Sequence, residues 1–155
     1  MQVRDLRREP PRRWNVEIDG IAWLPRLIDK ARAALSGTLG AYLFGQSPID
    51  RECLAALGIG HRAFAQMVAE APDDRAVLDA IAQRDRDAAE RARLWSAQLP
   101  QRHGTFLGML DLDDGYADGA ARALKPAANA LSFVVTWALK RLFPSRAIEG
   151  LKRQW

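Results

Sequence analysis

Four charged side chains stand close together in one short stretch: Arg26, Asp29, Lys30 and Arg32. On a helix, Arg26 faces both Asp29, at i,i+3, and Lys30, at i,i+4, while Arg32 lies at the border of that face. A carboxylate among cations has two uses. It can orient a guanidinium that grips a carboxylate or phosphate. It can also form local ion pairs on a solvated face, each worth about a few tenths of a kcal/mol. The pattern alone favours the solvated face.

The remaining chemistry-bearing residues form no constellation. Cys53 sits among apolar neighbours inside a helical pattern, which predicts a buried, inert thiol rather than a nucleophile. His61 opens a helix and His103 falls in a loop; two histidines and one cysteine at these spacings match no zinc pattern. The acidic run Asp111 to Gly119 has oxygen ligands suited to a hard cation. Counting from Asp111, however, Tyr116 takes the place of the turn glycine of a calcium loop, and Arg122 that of its last carboxylate. A solvated turn is expected there. Gly-x-Gly-x-x-Gly, Walker and Gly-x-Ser-x-Gly signatures are absent from the sequence. No metal or cofactor is expected, and no catalytic residue can be assigned.

These residues need elements to position them, and the chain is long enough to supply them. Its 155 residues, 48% hydrophobic and 27% charged, suit one globular domain. A single cysteine excludes an internal disulfide and fits a reducing, cytoplasmic setting. The N-terminal run does not read as a signal peptide, and no apolar stretch reaches membrane-spanning length. The net charge of +4 is uneven: residues 1–13 carry +3, residues 140–155 carry +4, and the body between is acidic. That distribution disfavours specific nucleic-acid binding, which needs a coherent basic surface.

The periodicities predict a mainly α protein, a small orthogonal multi-helix bundle with a flexible basic N-terminal arm over residues 1–19 and a single helical domain over 20–155. Ile21, Leu24, Leu27, Ile28, Ala31 and Leu35 mark the first helix, and Gly37 closes it. A short two-stranded element near Tyr42 is an option. Ser47-Pro48 starts a second helix, with Asp50 in its first turn, and Gly58 ends it. Phe64, Met67 and Val68 stripe a third. A long helix is expected over 72–99, its apolar face interrupted by Asp85, followed by a loop over 101–119. Residues 127–143 read as the most apolar helix of all, stopped by Pro144.

The segment Leu24-Pro25-Arg26-Leu27-Ile28-Asp29-Lys30-Ala31-Arg32-Ala33 resembles the signature of a bacterial family catalogued as domain of unknown function 5069. Gly37, Gly40, Tyr42, Asp50 and the run Leu54 to Ile59 continue the likeness, which spans about residues 20–80. The resemblance implies a small helical fold and brings no activity, cofactor or substrate with it. It does raise the weight of Arg26, Asp29, Lys30 and Arg32 as a ligand-binding set.

The leading expectation is an uncharacterised binding or regulatory module, holding an anionic small molecule or an acidic protein surface on the polar face of the first helix. One alternative is a peripheral membrane protein using residues 127–155, where Trp137, Phe143 and Lys140-Arg141 flank the apolar helix. The same helix could instead pack in the core or pair two copies as a homodimer. Another alternative is a small enzyme with a site near Asp29, joined by His61, His103 or the acidic run.

Overall fold

The computed structural model describes residues 3–117, and the chain divides into two compact units, residues 1–98 and 99–155. The predicted helix over 127–143, and with it the membrane and core readings of that segment, lies outside the described residues.

In the first unit the chain enters through a two-residue hairpin. Strands β1 (Glu17–Ile18) and β2 (Ile21–Ala22) pair antiparallel, with Ile18 opposite Ile21. Asp19 and Gly20, both at positive φ, make the tight turn between them. Ile21 therefore belongs to a strand and not to the first helix, and the two-stranded element lies here rather than near Tyr42.

Helix α1 (Leu24–Ser36) follows directly, with Pro25 in its first turn. Gly37 ends it in the left-handed region, and Thr38 N–H donates to the Ala33 carbonyl, closing the expected C-terminal cap. Every residue from Leu24 to Ala33 is buried, so α1 is the central rod of the unit and has no solvated face along those residues.

Four more helices complete the unit, α2 (Pro48–Ala56), α3 (His61–Glu70), α4 (Asp74–Arg84) and α5 (Ala88–Ala97): α3 packs on α1 and α4, and α5 on α2, α4 and β2. The start of α2 is as read: Ser47 Oγ accepts from the Asp50 N–H and Pro48 takes the first position. Asp73 caps α4 by accepting from the Ala76 N–H. The apolar core joins Leu24, Leu27 and Ile28 of α1 to Phe64 of α3 and Ile81 of α4, with the Phe44 and Phe64 rings 6.3 Å apart. Each such side chain contributes about 1.5–3 kcal/mol on burial.

Three expectations change. The long helix over 72–99 is two helices, because the chain leaves helical geometry at Asp85, whose carboxylate accepts from the Asp87 N–H. The expected loop over 101–119 is largely helix α6 (Leu99–Asp113), the described helix of the second unit. Pro100 occupies the first turn of that helix, where it removes no hydrogen bond. The N-terminal arm, expected to be flexible, is docked over its described residues. Leu6 is 4% exposed, Pro11 is buried, and Arg12 is hydrogen-bonded to α1 and α4. The arm's charge pattern hid two apolar plugs and a bidentate arginine.

Candidate functional site

The predicted set converges on α1, but inside the protein. Arg26, Asp29, Lys30 and Arg32 are 2%, 6%, 3% and 8% exposed. The solvated-face reading therefore fails, and each charge must be matched within the fold.

Asp29 is held by the arm. Arg12 sets Nε 2.9 Å from Oδ2 and Nη2 2.7 Å from Oδ1, a side-on bidentate grip, and its backbone N–H donates to Oδ2 at 2.8 Å. Nη2 of Arg12 also reaches the Pro25 carbonyl at 2.9 Å. Asp74, in the first turn of α4, bridges two arginines: Oδ2 accepts from Arg12 Nη1 at 2.6 Å and Oδ1 from Arg32 Nη1 at 2.5 Å. Arg12 and Asp74 are the part-exposed members, at 24% and 21% of their side chains.

Lys30 belongs to a second centre. Its Nζ donates to Asp50 Oδ1 at 2.5 Å, and the Trp23 indole N–H donates to the same oxygen at 2.9 Å. The Gly45 N–H donates to Asp50 Oδ2 at 2.9 Å. Asp50 is completely buried, and its place at the start of α2 adds the positive end of the helix dipole to these donors. Burial pushes Lys30 below the ordinary lysine value, the Asp50 charge opposes that shift, and neighbouring Arg26 adds to it.

Between the two centres Arg26 lies against aromatic rings, its guanidinium carbon 5.4 Å from the centroid of Trp23 and 5.7 Å from that of Tyr42. Its Nη1 donates to the Arg12 carbonyl at 3.1 Å. Lys30 Nζ also lies 5.3 Å from the Trp23 ring. Trp23 caps α1 at φ 69°, in the left-handed region. A non-glycine residue is strained there by about 1–3 kcal/mol, and the Arg26 and Lys30 contacts of its ring and the bond from its indole N–H to Asp50 hold it.

Arg32 donates from Nη1 to Asp74, whereas its Nε and Nη2 are both buried with no hydrogen-bond partner among the described residues. Those two donors form the same side-on edge with which Arg12 grips Asp29.

Sequence reasoning missed Arg12, Asp74 and Trp23 as members of the network. Arg12 looked like one of several arm arginines, and Asp74 like a helix-start residue. No local signal couples positions 17, 42 and 62 residues apart. Cys53 is buried as expected, its thiol pushed up by burial. His61 packs behind Gly45, with Nε2 buried and without a hydrogen-bond partner among the described residues; burial lowers its pKa. Asp111 to Asp113 form the last turn of α6 rather than the solvated turn expected there. Among the described residues no group of three or more His, Cys, Asp or Glu side chains gathers as a metal site, and no helix is long and apolar enough to cross a membrane.

A family model described as domain of unknown function (DUF5069) matches residues 8–125, about three quarters of the chain. The protein belongs to this family. The match takes in both Arg12 and Asp74, beyond and within the segment that carried the sequence resemblance. No curated protein matches the sequence.

Proposed function

We propose that this member of the DUF5069 family is a small cytoplasmic binding module that engages an anionic ligand, a carboxylate or phosphate group, through the polar side of α1. Arg32 is the anchor. The observation that carries this reading is its Nε–Nη2 edge, two buried donors without an acceptor among the described residues, in a network where Arg12 and Lys30 are paired with carboxylates. A buried guanidinium edge left empty costs desolvation and gains nothing, about 1–3 kcal/mol per unsatisfied group, and an oxygen pair from a ligand removes that penalty. The remaining members of the predicted set have supporting parts. Asp29 and Lys30 are engaged within the protein, and Arg26 packs on aromatic rings beside them.

This reading favours a binding module over an enzyme. The oxygens of Asp29 accept from Arg12, which leaves that carboxylate poorly suited to act as a base.

The test compares Arg32→Lys and Arg32→Gln with the unaltered protein, titrating inorganic phosphate and acetate by NMR chemical shift. Lysine keeps the charge and loses the fork, so Arg32→Lys weakens binding by about tenfold, and glutamine by more. Equal affinity in all three proteins, or no binding to any, overturns the assignment.

A further inference from the structure

We propose that residues 3–13 of the N-terminal arm form a strap, locked by Arg12, that gates access to the Arg32 edge; this rests on the anion-site reading above. The reasoning begins with a contradiction. The Arg32 edge lacks a partner, yet it is shut off from solvent, so an anion reaches it only if something moves. The charged network meets solvent at Arg12 and Asp74, which hold each other, and at Arg4 of the same arm, whose Nε lies 3.7 Å from Asp29 Oδ2. The way in therefore passes the arm, with Arg12 at its centre.

Arg12 is also the arm's main attachment. Its side chain and backbone N–H make five of the hydrogen bonds that fix the arm: three to Asp29, one to Asp74 and one to the Pro25 carbonyl. A second, weaker hold lies further along the arm, where Leu6 is buried and its carbonyl lies over Gly40. A Cβ at Gly40 would stand 2.9 Å from that carbonyl, and Gly40 is at φ +63°. A bare glycine there lets the strap lie flat. The strap is not a helix of the bundle, and the Arg12 lock and the Leu6–Gly40 contact are two of its attachments, beside Arg26 Nη1 on the Arg12 carbonyl and the Arg4–Asp29 ion pair, that can be loosened separately.

A ligand that binds only the open state raises the open population, and a change that opens the strap tightens the ligand. Two variants loosen it from opposite ends: Arg12→Ala removes the lock, and Gly40→Ala lifts the arm without touching the charged network. Phosphate affinity is measured for both, with helical circular dichroism as the check on folding, and hydrogen exchange of the arm amides is followed in the unaltered protein with and without phosphate. Affinity in each folded variant rises about tenfold, as expected when the competent state goes from a minor to a major population. Saturating phosphate speeds exchange of the Arg12 N–H, which the closed strap donates to Asp29. If phosphate binds in an Arg32-dependent way while variant affinities and arm exchange stay unchanged, the strap is refuted and the anion site stands. If neither the protein nor its variants bind phosphate, both ideas fall. Should both variants unfold, the exchange experiment on the unaltered protein decides alone.

Discussion

The buried Lys30–Asp50 pair yields the sharpest stability prediction. Replacing Asp50 by Asn keeps the shape and an oxygen acceptor but removes the charge facing Lys30 Nζ at 2.5 Å. Lys30 is 3% exposed and gains no compensating water. Breaking one side of a buried pair costs about 3–5 kcal/mol, a large part of the roughly 5–15 kcal/mol that holds a domain folded. Adding Lys30→Met to Asp50→Asn removes the stranded cation and should recover most of the loss, because a well-packed apolar pair of similar volume is often neutral. The assay is urea unfolding followed by far-UV circular dichroism, with the four proteins forming a double-mutant cycle. If Lys30→Met deepens the loss instead of relieving it, the pair is not the coupled unit described here. The pH dependence supplies a second check. Lys30 in the fold lies below its ordinary value of 10.5, so between its folded value and 10.5 the unfolded chain binds a proton that the native chain lacks. Stability from this group therefore rises with pH across that window and is flat above it. Lys30→Met should abolish the rise.

Three further outcomes follow from the same geometry. Gly45→Ala places a Cβ 2.6 Å from His61 Cβ at φ +71° and disturbs the N–H that binds Asp50; it should lower the unfolding free energy by about 2–4 kcal/mol, read by urea titration. His61 sits below its ordinary value of 6.5, so the unfolded chain protonates first and stability falls as pH drops from 6.5 through the folded value; His61→Gln should flatten that slope in thermal melts. Cys53 is buried with its thiol pushed up, so a thiol reagent should label it only at the rate of unfolding and instantly in denaturant.

The parts of the fold legible in the sequence were those written locally. Gly37 closing α1 and Ser47-Pro48 opening α2 act through atoms within a turn of themselves, and each appears where its residue type demands. The errors occurred where one residue had two local meanings. Pro100 could stop a helix or start one, and only the chain beyond it decides. Asp85 could interrupt an apolar face or break the helix. Its side chain bonds its own neighbourhood, at Asp87, and that competition ended α4.

The site was half legible for a different reason. The types and spacing of Arg26, Asp29, Lys30 and Arg32 located it, but helical periodicity assigned them to solvent because charges normally lie there. What reverses that assignment is matching charge from elsewhere in the chain: Arg12 on Asp29, Asp74 on Arg32 and Asp50 on Lys30. No single segment contains such a match, so a helix that carries its charges inward looks in isolation like one that carries them outward. The difference has a consequence for function. On a surface, four such charges would be independent and each substitution would cost little. Inside the fold they share partners, with Asp74 bridging Arg12 and Arg32, so a change at one should alter the others. A ligand that takes the empty Arg32 edge would therefore act on a coupled network, and the arm, held by Asp29 and Asp74 of that network, is where its binding should be felt.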